Sequence, residues 1–392
     1  MAGNTEVAAA PARTTSIAEA AATAVVVAIG YAGLIAFLKW GDLRSGLIVA
    51  AVIIAGIVLV KQRLPKVDAM LARIVSEQSA VILAVTIVAL TIFPALAPPY
   101  WIHVMTMAFL YAIMVLGLNI QLGEIGAANI GYAGLFAVGA YSSALLSLAG
   151  VSFWLTIPIS VVLCFLTGGF VGLCILKTRG DYLALVTLGF GLIIQQLIIN
   201  LPWLTHGTDG VRDIPMPSLF THRFSSPIDL GFVVLPKDAN FYYLTLLGLG
   251  LSAFLVVAAK RAWIGRVWIA VRRDSLAISC FGVNVPRFTL KSFAFGSAFA
   301  GIAGPIYAHK MGFIGPEDFS VLLSITLLSM VILGGMGNWI GVLAGTTLLV
   351  ILPEKFREIQ DYRMLAYGMT LVLILIYRPY GLFPSADYRY GR

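Results

Sequence analysis

"GLNIQLGEIGAANIGYAGLFAVGAYSSALL", residues 117–146, lies between long apolar runs but is neither a continuous apolar helix nor a soluble loop. Its centre, "QLGEIGAANIGYAG" (121–134), is too glycine-rich and polar for a plain helix. Gly126, Gly131 and Gly134 let the backbone bend or approach another segment closely, and Asn129 and Tyr132 offer side-chain hydrogen bonds. Two readings follow. One is a broken helix whose interruption lines a polar path; the other is a tight helix–helix crossing.

The surroundings set the class. Hydrophobic residues make up 60% of the 392, charged residues only 11%, and mean hydropathy is +0.95, far from the balance of a soluble globular chain. Apolar stretches fall at roughly 21–38, 46–60, 80–97, 101–120, 132–149, 154–176, 183–201, 241–259, 291–308, 320–334, 340–352 and 364–377. The expected fold class is therefore all-α, a polytopic integral membrane protein of about ten to twelve apolar segments. The first stretch is span-length and follows a long polar lead containing a single Arg13, which suits a retained helix better than a cleaved signal.

Charge orients the chain. The net charge of +8 is spread over connecting loops rather than gathered in a basic domain, which argues against nucleic acid as a partner. With the N-terminus inside and the segments alternating, most of the 26 basic residues fall in inside connections, the largest share in 260–291. Both termini are then expected to be cytoplasmic.

That basic connection contains "RRDSLAISCFGVNVPR" (272–287), which reads as a short capped helix. Asp274 can accept backbone N–H bonds at its start, Gly282 can take the left-handed conformation at its end, and Pro286 is expected to prevent resumption. Leu276, Ala277, Cys280 and Phe281 share one side of the two turns, with Arg272 and Arg273 beside them. A helix this short must dock, on the membrane, its own bundle or a partner.

No chemistry of catalysis or energy coupling is visible. The chain has no GxxxxGK[ST] phosphate loop and no HExxH, its four histidines are scattered, and its three cysteines have no CxxC spacing, so no metal site or bound cofactor is expected. The acidic residues lie in connections or at span ends, Glu124 and Asp181 coming nearest to exceptions, so an ion-driven carrier lacks its usual intramembrane group. A transport protein without an engine of its own borrows one.

Six ordered stretches carry a resemblance: residues 117–146, "TRGDYLALVTLGFGLII" (178–194), "THGTDGVRDIP" (205–215), "GFIGPEDF" (312–319), "VILGGMGNWIGVLAG" (331–345) and "YRPYGLF" (377–383). Together they resemble the LivH/LivM permease family of branched-chain amino acid ABC importers, the LivM type in particular, over about residues 80 to 385. The resemblance implies a permease bundle with a cytoplasmic coupling helix that fits a groove on an ATPase. Leu276, Ala277 and Ile278 occupy the places of the wider importer pattern "EAA", and Gly282 falls where its glycine belongs. It also implies partners: a LivH-type permease, two ATPase subunits of LivG and LivF type that use ATP and Mg, a periplasmic substrate-binding protein, and membrane lipid. The implied location is the bacterial inner (plasma) membrane.

The expected organisation is an N-terminal extension (1–79) with two spans and a basic linker, a permease core (80–385), and a short tail (386–392). Within the core lie an external loop (202–240) and the coupling loop (260–290). Arg179 and Asp181 stand at an inner span end, as a local ion pair positioning the helix or as a gate. Thr208, Asp209 and Gly210 belong to the external loop, either a docking site for the binding protein or a scaffold. Gly337, Gly341 and Gly345, four residues apart, are expected on one packing face. Related permeases for urea, short amides or aromatic acids remain open as alternatives, as does a self-sufficient secondary transporter.

Overall fold

The computed structural model describes residues 79–176, 182–219, 222–229 and 234–355, with isolated positions 368, 372, 381 and 383. The first two apolar stretches, the last one apart from residues 368 and 372, the pair Arg179 and Asp181, and the tail lie outside the described residues. Two compact units are distinguished, Met1–Pro98 and Pro99–Arg392. The second begins at Pro99, the first residue of a helix, where the missing N–H of proline is tolerated.

The described chain is predominantly helical. In the first unit α1 spans Ser79–Leu96. The second unit contains α2 (Pro99–Asn119), α3 (Tyr132–Leu148), α4 (Phe153–Ile175), α5 (Tyr182–Asn200) and α6 (Asp238–Arg261). There follow α7 (Trp263–Arg273), α8 (Ser275–Cys280), α9 (Val285–Met311), α10 (Val321–Gly334) and α11 (Trp339–Lys355). Among the described residues strand forms two hairpins in the connection between α5 and α6: Ser218–Leu219 pairs with His222–Arg223, and Ile228–Asp229 with Val234–Leu235, both antiparallel.

Four of the described helical segments are long and apolar enough to cross a membrane: 99–124, 153–175, 182–200 and 238–261. Stretches 84–96, 132–148, 321–334 and 339–354 are apolar but shorter. The 27-residue α9 is less apolar because it carries glycine, alanine and serine where its neighbours press on it. A Cβ at Gly296 would lie 2.7 Å from the Gly117 carbonyl oxygen of α2, and one at Gly304 would lie 2.5 Å from the Ala140 nitrogen of α3. Small residues thus let α9 run through the middle of the second unit against α2, α3, α4 and α6. By contrast α4 and α5 present much of their apolar surface outward, through residues such as Leu166, Phe170, Leu185 and Ile193. The chain is an all-α polytopic membrane protein.

Candidate functional site

The interruption expected within 121–134 is real and has a definite construction. Helix α2 widens into a π-helical turn at Ile120–Glu124, Gly126 adopts φ +83°, and regular helix resumes only at Tyr132. Such turns inside membrane helices free backbone groups that must find partners. Here they do. Ala127 N–H bonds the Gln121 carbonyl (2.8 Å), Ile130 N–H the Thr187 hydroxyl of α5 (3.1 Å) and Ala133 N–H the Ser324 hydroxyl of α10 (2.9 Å).

Asn129 and Tyr132 are spent on this same task. The Asn129 Oδ1 accepts from Gly131 N–H (2.9 Å), and its Nδ2 donates to Gln121 Oε1 (2.9 Å). Gln121 in turn donates to the Phe293 carbonyl of α9 (3.1 Å), and the Tyr132 hydroxyl donates to the Gly296 carbonyl (2.8 Å). Asn129 is 1% exposed and Tyr132 fully buried. Both side chains hold the crossing together, because an interrupted helix takes its hydrogen-bond partners from the nearest polar side chains. Gly131 and Gly134 serve that crossing too. A Cβ at Gly131 would lie 1.9 Å from the Thr187 carbonyl oxygen, and one at Gly134 would lie 3.1 Å from the Gly191 Cα.

Sequence reasoning missed the ionic half of this node. Glu124, at the end of the π turn, is buried and pairs with Lys260 of α6 at 2.7 Å. The same ammonium donates to the Gly337 carbonyl, and Gly337 N–H donates to Asn119 Oδ1 (2.9 Å). The break, the end of α6 and the "GGMGNW" turn are thus one assembly. Glu124 stood out in the sequence as an acid near a span, but nothing local pointed to a lysine so far along the chain.

Gly337 is a correction. It lies in the turn before α11, with φ +80°, and not on a helix face, because the carbonyl and amide it offers are needed by Lys260 and Asn119. Gly341 and Gly345 do face α10: Cβ atoms there would lie 2.4 Å and 2.6 Å from Gly334 backbone atoms. Phe383 joins this corner: its N–H bonds the Gly334 carbonyl (3.1 Å) and its carbonyl accepts from Asn338 Nδ2 (3.0 Å).

The basic connection carries two helices where one was expected. α7, "WIGRVWIAVRR", buries Gly265, Trp268 and Val271 and exposes Trp263, Arg266 and Arg273. Its i, i+4 apolar spacing was legible in the sequence as an amphipathic helix. α8 follows at once. Asp274 caps it, its Oδ1 accepting from Leu276 and Ala277 N–H (both 2.9 Å), and Gly282 ends it at φ +80°. Pro286 does not keep the chain from becoming helical. It occupies the first turn of α9, where its missing N–H costs nothing, and Asn284 caps that helix. On α8 the knob residues Leu276, Ala277, Cys280 and Phe281 are exposed, Leu276 by 77% and Phe281 by 82%, while Ile278 leans on the bundle.

Arg272 links the two halves. It donates to the Gly123 carbonyl in the π turn, and its stem covers Gly126, where a Cβ would meet it at 3.3 Å. Between the break and α8 lies a cavity of about 800 Å³, lined by the backbone around Gly126 and Ala128 and by Arg272, Ser275 and Ser279.

At the opposite end, two of the quoted stretches meet. Val211 and Ile314 exchange N–H to carbonyl bonds (2.9 and 3.0 Å), and the Arg212 guanidinium lies 5.7 Å from the centre of the Phe313 ring. This staple leaves Thr208 and Asp209 exposed on a short 3-10 turn and buries Gly210 against Ile314. Among the described residues no group of His, Cys, Asp and Glu could hold a metal ion.

Comparison with known proteins agrees with this architecture. Residues 100–377 match the family described as branched-chain amino acid transport system / permease component. The chain is 38% identical to the high-affinity branched-chain amino acid transport system permease protein LivM of Escherichia coli K12, over 72% of this chain and 70% of that protein. It is 36% identical to LivM of Salmonella typhimurium, over 79% and 75%. The Escherichia coli LivH permease shares 24% identity over 71% of this chain and 92% of its own length. No solved structure matches. By its match over residues 100–377, the chain belongs to the branched-chain amino acid transport permease family.

Proposed function

We propose that this chain is the LivM-type permease subunit of an ATP-driven importer of branched-chain amino acids. In this reading it forms the translocation path with a LivH-type permease, performs no chemistry itself, and sits in a bacterial inner membrane with both termini cytoplasmic. Two ATPase subunits, using ATP and Mg, supply the work, and a periplasmic binding protein delivers substrate to the loop that exposes Thr208 and Asp209. Family membership and the similarity to LivM support the substrate class.

The observation that carries the mechanism is the Arg272 contact with Gly123. An exposed apolar knob on α8 offers an ATPase something to grip, and α7 ends against the one turn of α2 whose helical bonding is already broken. A push on α8 reaches the break through Arg272, while Lys260 and Glu124 hold the adjoining end of α6 to the same turn. The π turn is where α2 can rewind with little loss of hydrogen bonding, so it is a suitable hinge for alternating access. Substrate then needs only weak contacts along the way.

Co-expression with the two ATPases, the partner permease and the binding protein tests this. Uptake of radiolabelled leucine into proteoliposomes should require ATP, and Ala277→Arg should abolish it and release the ATPases on purification, since an unpaired guanidinium in an apolar contact costs several kcal/mol. Uptake by this chain alone, driven by an ion gradient, would overturn the proposal.

A further inference from the structure

Beyond the transport path, the second unit contains a cavity that the proposed mechanism does not use. It has a volume of about 670 Å³, lies between α4, α7 and α9, and is walled by Leu166, Phe170, Ile264, Trp268 and Ala294, with Lys291 as its one charged lining residue. The volume falls in the range of small-ligand pockets (~300–1,000 Å³). Its floor is open: a Cβ at Gly169 would find only the Ala294 side chain, at 3.8 Å.

The mouth is built like a membrane interface. The Lys291 ammonium lies 5.2 Å from the centre of the Phe288 ring, and Phe288 packs edge-on against Trp263, which is itself exposed. A tryptophan and a lysine beside an apolar slot are the side chains that settle at the headgroup level of a bilayer. Helix α7 has the matching amphipathic form, its apolar face inward and Arg266 outward. The segment "KRAWIGRVWIAVRR" (260–273) holds no acidic residue to balance its cations. Arg261, Arg266 and Lys291 are all exposed, so the field at the mouth is positive.

We infer that this cavity binds an anionic phospholipid, one acyl chain filling the slot between α4, α7 and α9 and the phosphodiester lying against Lys291 beside Trp263. The charge selects the lipid class, since a zwitterionic headgroup adds its own cation to an already positive mouth. The bound lipid is a wedge between α7 and the spanning helices, and so part of what holds α7 in place.

The test uses the full chain purified in detergent, delipidated and titrated with phosphatidylglycerol or phosphatidylcholine, the adducts being counted by native mass spectrometry. The unaltered chain should favour phosphatidylglycerol by about fivefold, the worth of one interfacial cation. Lys291→Gln should lower the ratio clearly, toward the remainder left by Arg261 and Arg266, and Lys291→Arg should restore it. Gly169→Leu, which fills the slot, should lose both lipids. Equal binding of the two lipids by the unaltered chain overturns the inference. So does an undiminished preference in Lys291→Gln, or a photo-crosslinker at Leu166 that captures a second permease chain and no lipid in native membranes.

Discussion

Replacing Lys260 by methionine isolates the contribution of the ionic node at the break. Glu124 is 2% exposed and its carboxylate lies 2.7 Å from the Lys260 ammonium, so removing the lysine takes away one of the partners that hold a buried charge. Breaking a buried pair on one side costs about 3–5 kcal/mol, whereas replacing both partners by neutral groups of similar volume is often close to neutral. Lys260 is 26% exposed by side chain, which lets solvent reach one end, and Glu124 keeps other interactions, which together put the expected loss below the lower figure, at ~2 kcal/mol. A further loss of ~1 kcal/mol comes from the Gly337 carbonyl, which gives up its bond to the ammonium.

Glu124→Gln should be milder, because the amide can still accept from Lys260 and the lysine keeps Gly337. The double variant Lys260→Met with Glu124→Gln should recover most of the loss. The assay is unfolding of the purified chain in mixed micelles by increasing dodecyl sulfate, read as a double-mutant cycle. The expected coupling is favourable by more than ~1.5 kcal/mol. Equal destabilisation by Lys260→Met alone and by the double variant would refute the reasoning and reduce the pair to a surface contact.

Other positions give sharper yes-or-no outcomes. Gly131→Ala places a Cβ 1.9 Å from a backbone oxygen that cannot move aside, so yield of folded protein should collapse, while Gly250→Ala, with nothing within 4 Å, should be silent by size-exclusion profile. Gly282→Val forbids the left-handed end of α8 and should lower ATP-driven uptake at least tenfold at unchanged expression, with Ser279→Ala at the unaltered rate. Asp209→Lys, on the exposed 3-10 turn, should weaken stimulation of ATPase activity by the binding protein without altering basal hydrolysis, measured by phosphate release.

Much of this protein is readable along the chain, and the reason is that a bilayer is a demanding solvent. Helices must satisfy their own backbone, so apolar length alone locates α1 through α6 and α9 to α11 to within a few residues. The cap of α8 was legible for a similarly local cause: Asp274 and Gly282 act on atoms two or three residues away. Even the interruption after α2 shows in composition, since glycines and amides together cannot make a plain span.

What the interruption does was decided only by the packed bundle. Whether Asn129 faces a path or the Gln121 amide depends on where α9 and α5 stand, and Gly337 serves Asn119 and Lys260 for reasons lying far away in sequence. The meeting of "THGTDGVRDIP" with "GFIGPEDF", of Lys260 with Glu124, and of Arg272 with Gly123 has the same origin. A polar group buried in an apolar bundle takes whichever partner the fold brings near, because leaving it unpaired costs more than almost any local preference can supply.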